Sequence, residues 1–345
     1  MKTYDFNWKN GGVILQKTDL PFEHKGVLNP ACIEKDGIIH MFYRAIGEKD
    51  RSTIGYATFD RENNLITRTG RPLFVSEFAY ESHGMEDPRI VLLEGVYYLF
   101  YTAFDGVNAR VAYAESKDLV TFEKRGLISA SITYSKVLSM FDREKLPERY
   151  FWYGEHYQEI RSKDVLVWDK DFFLFPRKIR GKFAFLHRIM PGIQLITVDR
   201  LEELRDVAFW NNHLKRLEEH VVFNPELWFE TKKVGGGAPP IETPHGWLVI
   251  YHAVEDQSHV YRAGAALLDL EDPRKVLAKL AEPLFSPTEA WEQKGIVDNV
   301  VFPTSALLHD GRLSTYYGAA DTCIAVRSLD IERLLKALLA SPRHD

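Results

Sequence analysis

The stretch GIIHMFYR, residues 37–44, opens with a glycine and carries an aromatic residue, Tyr43, six positions further on. The same spacing recurs in GVYYLFYT (95–102), GKFAFLHR (181–188) and GRLSTYYG (311–318). His187 takes the aromatic position once, and a fifth copy, HGWLVIYH, is one residue shorter before its Tyr251. Five copies at a nearly fixed offset indicate an internal repeat.

Each copy lies between two further runs typical of strands. Upstream, a proline opens a short apolar segment at Pro30, Pro88, Pro176, Pro240 and Pro303. Downstream come IGYATF, VAYAES, IQLITV, AGAALL and TCIAVRSL. Units of about four short strands repeated around an axis are typical of a β-propeller. The sequence therefore predicts an all-β fold, a five-bladed β-propeller with peripheral helices.

The chain length and the breaks between repeats predict one domain. The 345 residues, 45% of them hydrophobic, are enough for a large core, and we expect a single propeller domain over 1–345. The longest insertion, about 126–168, lacks clear periodicity and is expected to cap or border one face. Apolar residues at helical spacing predict packing helices within 201–220 and at about 329–340, the second packing on the propeller.

Composition excludes several classes of function. A net charge of −5 gives no electrostatic basis for binding nucleic acid or an anionic membrane. Two cysteines fit a reducing compartment, and there is neither a secretory h-region nor a run of 18 apolar residues. We expect a soluble cytoplasmic protein, with a homo-oligomer left open. The 12 histidines show no HExxH pairing, so no metal site is predicted.

Polar residues recur at equivalent ends of the predicted inner strands. The residue after each aromatic anchor is Arg44, Thr102, Arg188, His252 or Gly318. Asn29 and Asp87 stand immediately before two of the blade prolines. Because the innermost strands of a propeller line its central channel, we expect these residues to converge on one polar funnel. A solvent-exposed face would favour Lys and Glu, and it would not place such polar residues at the same position of the repeat five times.

The stretch Glu86-Asp87-Pro88-Arg89 places an acid pair and an arginine before a strongly apolar run. Pro88 fixes the backbone, and it is expected to hold Asp87 extended so that its side chain projects in a defined direction. Glu86 or Arg89 could orient that side chain. For Glu86, a hydrogen bond or salt bridge between blades is the favoured interpretation.

Several strings of this sequence resemble glycoside hydrolase family 130, whose members are mostly phosphorylases of β-mannosides. They are NPACIEKDGIIHMFYRA, GMEDPRI, LFPRKIRGKFAFLHR, GGGAPPIETPHGWLVIYH and NVVFPTSALLHDGRLSTYYGAADT. The resemblance covers nearly the whole chain except the insert at about 126–168. It implies an inverting phosphorylase that converts a β-mannoside and inorganic phosphate into mannose 1-phosphate and a shortened acceptor. Phosphate is then a co-substrate, and no cofactor is implied.

The resemblance also implies roles for individual residues. Asp87 matches the family's sole catalytic carboxylate, a general acid whose proton passes through the sugar 3-hydroxyl to the glycosidic oxygen. The sugar at the cleaved position is held at positions that match Asn29, Arg44 and Asp321. We add Glu86 as a neighbour of the sugar and Tyr101, or Tyr317, as a ring that stacks on it.

The family's phosphate-binding positions match Lys170, Arg188, Lys233 and His252. A phosphorylase needs such a basic cradle instead of a second carboxylate, because phosphate is already a charged nucleophile. Two residues depart from the expected pattern: Lys170 replaces an arginine, and Asp171 replaces an asparagine. Lysine loses the bidentate fork of arginine, and a carboxylate in the same pocket would repel a phosphate dianion.

Two alternatives to a phosphorylase remain at this point. A β-mannosidase on the same scaffold would need a second carboxylate to activate water, and Glu155, Glu159 and Asp171 are the candidates. A carbohydrate-binding propeller without chemistry is the other alternative, and the complete E-D-P-R string around Asp87 argues against it. The sequence specifies neither the linkage nor the acceptor.

Overall fold

The computed structural model describes residues 4–341, which form a mostly β structure with 45% strand and 17% helix. After the first strand, β1 (Lys9–Gln16), the chain forms five consecutive antiparallel units. Unit one contains β2 (Gly26–Lys35), β3 (Ile38–Ile46), β4 (Ser52–Phe59) and β5 (Leu65–Arg68). Unit two contains β6 (Gly84–Leu93), β7 (Val96–Phe104), β8 (Ala109–Ser116) and β9 (Glu123–Leu127).

The remaining units follow the same order. Unit three contains β10 (Lys170–Leu174), β11 (Phe183–Arg188), β12 (Ile193–Val198) and β13 (Val221–Phe223). Unit four contains β14 (Lys233–Gly236), β15 (Ile241–Thr243), β16 (Gly246–Val254), β17 (Tyr261–Leu268) and β18 (Val276–Lys279). Unit five contains β19 (Val301–His309), β20 (Arg312–Ala319) and β21 (Cys323–Asp330).

The two ends of the chain meet in unit five. Strand β1 pairs antiparallel with β21, so the sheet has the order β1-β21-β20-β19. The first strand of the chain therefore supplies the fourth strand of the last unit. Units one and two share one sheet through a single parallel pairing of Ser52 with Gly84.

Buried side chains form five clusters, and each cluster lies between two consecutive units. Phe42 and Leu99 belong to the cluster between units one and two, and Tyr43 and Tyr316 to the cluster between units five and one. The apolar packing thus continues from the last unit back to the first. Strands β2, β6, β10 and β14 also contact one another in this order.

The repeated glycine is explained by the turn that it forms. Asp36 and Gly37 both have positive φ, 53° and 80°, between β2 and β3. Two consecutive residues with positive φ are characteristic of the type I′ hairpin, which matches the twist of the flanking strands. Equivalent pairs are Glu94-Gly95, Arg180-Gly181 and Asp310-Gly311. The glycine spacing therefore marks the hairpin before each long central strand.

The helices lie outside the strand units. The α-helices are α1 (Tyr134–Met140), α2 (Glu148–Ile160), α3 (Val207–Lys215), α4 (Ala290–Gln293) and α5 (Ile331–Leu339). Short 3-10 helices span Glu48–Asp50, Ala79–Glu81, Leu201–Arg205 and Leu217–Glu219. The segment 201–220 is therefore three short helices and not one long helix. In α5, Ile331, Leu334, Leu335 and Leu338 are buried against units four and five.

The aromatic anchors of the repeat end in buried ion pairs. In four units the tyrosine hydroxyl donates to a glutamate that also pairs with a lysine or arginine. These sets, here called the anchors, are Tyr43–Glu23–Arg68, Tyr101–Glu81–Lys124, Tyr251–Glu230–Lys279 and Tyr317–Glu292–Arg327. In unit three, His187 contacts Asp169 through Nδ1 (3.0 Å) and His213 through Nε2 (3.2 Å). The repeat thus fixes each central strand to the loop that precedes its unit.

No helix within residues 4–341 has the length and apolar character needed to cross a bilayer.

Candidate active site

A cavity of about 170 Å³ opens where the inner strands of the units meet. The lining residues are Asn29, Arg44, Asp87, Lys170, Asp171, Arg188, Lys233, Tyr261, Val297, Val300, Phe302 and Asp321. Seven residues that the sequence assigned to one site, from units one, two, three, four and five, therefore surround one space.

Three lining residues occupy equivalent bulges in β2, β6 and β10. Asn29, Asp87 and Asp171 have φ of 48°, 50° and 53°, in the left-handed region that is costly for most residues. The register of each strand shifts at the same point. The prediction that Pro88 holds Asp87 extended is therefore wrong. A left-handed residue at a bulge turns its side chain out of the sheet alternation, here toward the cavity.

Arg89 stabilises this bulge and does not line the cavity. Its side chain is 1% exposed, and its Nη1 donates to the carbonyls of Asp87 (3.0 Å) and Pro88 (3.1 Å). The same guanidinium donates from Nε to Gly237 O (2.5 Å) and from Nη2 to Gly236 O (3.3 Å). Arg89 thus connects β6 to the glycine-rich strand of unit four. This explains why an arginine follows the proline in the acidic stretch.

One end of the cavity holds a network of paired charges around Asp87. Its Oδ1 accepts hydrogen bonds from Asn29 Nδ2 (2.7 Å) and Arg44 Nη1 (3.2 Å). Arg44 Nη2 also donates to Glu86 (2.9 Å), and Lys170 Nζ donates to the other oxygen of Glu86 (3.0 Å). Glu86 therefore bridges units one and three, as the sequence favoured, and Lys170 is neutralised by this bridge.

The two carboxyl groups at this end titrate in opposite directions. Burial raises the pKa of Asp87, but the charges of Arg44 and Lys170 and the hydrogen bond from Asn29 outweigh it and lower the pKa to about 2. For Asp321, burial dominates, and the neighbouring Asp87 adds to it, so that its pKa rises to about 6. Asp87 is therefore ionised in the free protein at neutral pH.

The other end of the cavity is basic. Arg188 Nε lies 2.6 Å from Asp171 Oδ2, and Arg188 Nη1 contacts the sulfur of Met190. Lys233 Nζ lies 5.1 Å from the ring centroid of Tyr261 and makes no salt bridge with any carboxylate of the described chain. Burial raises the pKa of the Tyr261 hydroxyl, but Lys233 and Arg188 outweigh it and lower that pKa below its usual value. This end is suited to an anion.

The structure places three predicted site residues with aromatic rings away from the cavity. The Tyr101 ring is 2% exposed, and its hydroxyl donates to Glu81, so this ring is enclosed in an anchor and cannot stack on a sugar. Tyr317 is enclosed in the same way by Glu292. His252 is fully buried behind Asp171, with 3.6 Å between Nε2 and Oδ2, and its ring stacks on Phe302. His252 therefore supports the basic end from behind.

Sequence reasoning missed Tyr261 and Phe302. Phe302 stands immediately before Pro303, the same sequence position that identified Asn29 and Asp87, so this signal was available. Tyr261 is the first residue of β17, and it does not occupy a position that the repeat identifies. Only the meeting of unit four with unit five brings its ring to the cavity.

Of the three candidate bases for hydrolysis, only Asp171 lines the cavity. Glu155 and Glu159 are exposed on α2 and line a different surface depression with Lys163. Asp171 lines the cavity and is paired with Arg188. Within residues 4–341, no group of three or more His, Cys, Asp or Glu side chains is arranged to hold a metal ion.

Comparison with known proteins agrees with this geometry. The sequence profile of a family described as β-1,4-mannooligosaccharide phosphorylase matches residues 13–339. The chain belongs to glycoside hydrolase family 130. It is 35% identical over 330 residues to a 1,2-β-oligomannan phosphorylase of Thermoanaerobacter sp. (strain X514), covering 93% of this chain and 95% of the relative. A β-1,2-mannobiose phosphorylase of the same organism is 33% identical, with 91% and 93% covered.

A solved member of family 130 shares the fold. The β-1,2-mannobiose phosphorylase of Listeria innocua, in complex with β-1,2-mannobiose, aligns with a TM-score of 0.69 at 20% identity. The alignment covers 98% of this chain and 95% of that one. This family 130 protein is thus an enzyme, a phosphorylase of β-mannosides.

Proposed function

We propose that the enzyme cleaves β-1,2-linked mannosides with inorganic phosphate and releases mannose 1-phosphate and a shortened acceptor. One observation carries the proposal: the carboxylate of Asp87 lies in one cavity with Asn29, Arg44 and Asp321 on one side and a basic end on the other. The β-1,2 linkage rests on the names of the two relatives at 33–35% identity. The family description names β-1,4 linkages instead, so the linkage is the part that most needs a test.

The scaffold that brings these groups together is a five-bladed β-propeller in a single domain, which the structure describes over residues 4–341 of the expected 1–345, with α5 packed on its side. Support comes from the five antiparallel units, the interface clusters that continue from unit five to unit one, and the pairing of β1 with β21. In this arrangement the inner strands surround the channel, and the cavity is its mouth.

In this proposal Asp87 is the general acid, and Asn29, Arg44 and Asp321 hold the mannosyl residue. Asp87 needs a proton before it can act, yet its pKa is about 2 in the free protein. The negative charge of bound phosphate offsets the positive field in the cavity and raises the pKa of Asp87. Phosphate binding and proton uptake by Asp87 are thus coupled, so that the acid forms when the nucleophile is present.

Phosphate binds in this proposal at Arg188, Lys233 and Tyr261, with His252 behind them. The phosphate oxygen attacks C1 of the mannosyl residue from the side opposite the leaving group, which inverts the configuration. The bond from C1 to the acceptor oxygen breaks, and that oxygen takes the proton of Asp87. No second carboxylate is required, because phosphate replaces the activated water of a hydrolase.

The test incubates the enzyme with β-1,2-, β-1,3- and β-1,4-mannobiose, with and without phosphate, and identifies the products. We expect mannose 1-phosphate from the β-1,2 substrate, and only when phosphate is present. Free mannose in phosphate-free buffer would contradict phosphorolysis, and preferential cleavage of another linkage would contradict the linkage alone.

The variant Arg188→Ala tests the basic end. A charge-assisted contact to a buried anion contributes about 1.5–3 kcal/mol, so the KM for phosphate should rise about 10- to 100-fold. The KM for mannobiose should change much less. Arg61→Ala, which removes an exposed guanidinium paired with Glu34, is the control. An equal change in both KM values would contradict the assignment.

We also propose that the enzyme acts in the cytoplasm. Both cysteines, Cys32 and Cys323, are buried free thiols, which fits a reducing compartment.

A further inference from the structure

Asp171 is an acid at the end of the cavity that is otherwise suited to an anion. It occupies the bulge of β10, the position equivalent to Asn29 in β2 and Asp87 in β6, and it shares their left-handed backbone. The other two residues at this position direct polar groups into the cavity, and Asp171 lines it as well. The fold therefore places this carboxylate at the cavity in the position equivalent to that of the acid Asp87.

The surroundings of Asp171 hold its side chain in place and use only part of its acceptor capacity. The side chain is 1% exposed, and a Cβ atom on Gly235 would lie 2.4 Å from its Oδ2, so only glycine leaves room for it. Arg188 Nε forms an ion pair with Oδ2 at 2.6 Å, and His252 Nε2, at 3.6 Å from the same oxygen, is too far for a hydrogen bond. Arg89 Nη2 lies 3.9 Å away, too far for a hydrogen bond.

An ionised carboxylate can only accept hydrogen bonds. Beside the bare oxygens of an oxyanion it is repulsive, but beside a P–OH group it is a strong acceptor. Hydrogen phosphate carries such a group at neutral pH, whereas sulfate of similar size carries none. A buried acceptor that a ligand cannot satisfy is a strong means of rejecting that ligand.

We infer that Asp171 accepts the hydrogen bond of the phosphate O–H group and thereby selects hydrogen phosphate over fully ionised oxyanions such as sulfate. The inference rests on the proposed function, since it concerns the anion that the phosphorylase uses. It explains why a carboxylate occurs among Arg188, Lys233 and Arg89 without abolishing an anion site.

The same contact orients the nucleophile. With its O–H group directed at Asp171, hydrogen phosphate presents its unprotonated oxygens to Arg188, Lys233 and the mannosyl C1. The reaction is balanced, because hydrogen phosphate and the mannoside together give the mannose 1-phosphate dianion and the protonated acceptor. The phosphate proton is thus the net source of the proton that the acceptor oxygen gains, and Asp87 passes a proton on without net change.

The experiment measures the binding of phosphate and sulfate to the sugar-free enzyme by calorimetry, at neutral pH, for wild type, Asp171→Asn and Glu86→Gln. Wild type should bind phosphate at least about 100-fold more tightly than sulfate, and Asp171→Asn should reduce this ratio about 10- to 100-fold. The amide NH₂ of asparagine can donate to a bare sulfate oxygen, which the carboxylate cannot. Glu86→Gln removes an equal charge from the other end of the cavity, and it should leave the ratio close to that of wild type.

A second measurement needs no variant. Arsenate is protonated at neutral pH and selenate is not, so arsenate should displace phosphate from wild type and selenate should not. The inference is overturned if wild type binds sulfate or selenate as tightly as phosphate, or if Glu86→Gln changes the ratio as much as Asp171→Asn. If phosphate does not bind and mannobiose is cleaved without it, the proposed function itself fails, which is a different result.

Discussion

The anchors and the cavity contain the same kinds of charged side chains, but the anchor glutamates are saturated by groups of the fold, whereas the basic end of the cavity keeps Lys233 without a carboxylate partner among the described residues. In unit four, Glu230 accepts from the Tyr251 hydroxyl (2.6 Å), from Lys279 Nζ (2.8 Å) and from two backbone N–H groups. Glu81 and Glu292 also accept two backbone N–H groups each, at the loop that precedes their own unit. Such a complete network stabilises the fold and offers nothing to a ligand.

The cavity leaves buried polar atoms without partners. Asn29 Oδ1, at the cavity, and both ring nitrogens of His252, directly behind it, have no hydrogen-bond partner among the described residues. Such groups cost about 1–3 kcal/mol each when they stay unpaired. A ligand can complete the one at the cavity, whereas Arg68 Nη2 is the one such atom among the described anchor side chains.

The largest expected effect belongs to the cavity. Asp87→Asn keeps the shape of the side chain but removes the acid, so kcat should fall about 10²–10⁴-fold. The far-UV circular dichroism spectrum should stay that of wild type. Asp60→Asn, in the connection between β4 and β5, is the control and should keep full activity. Near wild-type turnover by Asp87→Asn would show that this carboxylate is not the acid.

A substitution in an anchor should reduce stability and leave activity unchanged, the opposite of the pattern expected for Asp87. Glu230→Gln leaves Lys279 buried with no carboxylate partner, and breaking such a pair costs about 3–5 kcal/mol of unfolding free energy. Urea denaturation measures this loss, while kcat per folded molecule should be unchanged. Adding Lys279→Met should recover part of the stability, because it removes the unpaired charge. A normal stability for Glu230→Gln would contradict the distinction between anchors and cavity.

The sequence predicted the cavity residues better than the anchors, for a physical reason. Asn29 and Asp87 precede prolines at one repeat position, and Arg44 and Arg188 follow the aromatic position, so their common phase predicts a common location. The glutamates that pair with the anchor tyrosines come from loops about 20 residues upstream. The strand pattern marks no positions in these loops, so it could not predict the glutamates. A weak signal existed in FAYE, LWFE and EAWE, which end in Glu81, Glu230 and Glu292.

The errors share a cause in tertiary packing. Tyr101 looked like a sugar platform because an exposed and an enclosed tyrosine have the same place in a strand, and only Glu81 decides between them. His252 follows the aromatic position like Arg44, but Phe302 and Asp171 stand between it and the cavity. Asp87 was expected to be extended, since a bulge cannot be read from the proline that follows it.

For Asp321 we expect an effect of intermediate size on the free energy of unfolding, and its substitution should stabilise the protein at neutral pH. Its pKa rises from 3.8 to about 6 on folding, so the folded state holds its proton more tightly than the unfolded state. Stability therefore falls as pH increases from about 4 to 6, and about 3 kcal/mol is lost above that window. Asp321→Asn should be more stable than wild type at pH 7 and equal to it at pH 4, while the KM for mannobiose rises. A stability difference that does not depend on pH would contradict this assignment.

The smallest effect, on the free energy of unfolding, is expected for a tyrosine of an anchor. Tyr317→Phe removes the hydroxyl that donates to Glu292 (2.7 Å), but Glu292 keeps its salt bridge to Arg327 and two backbone N–H donors. Because the carboxylate stays largely satisfied, the loss should be about 1–2 kcal/mol of unfolding free energy. Tyr316→Phe is the matched control at the next residue, where the hydroxyl donates to the neutral Asn63 and the loss should be about 0.5–1 kcal/mol. Both variants should keep the KM for mannobiose and for phosphate. A raised KM for mannobiose in Tyr317→Phe alone would mean that this tyrosine reaches the substrate, and the anchors would then be part of the site and not its support.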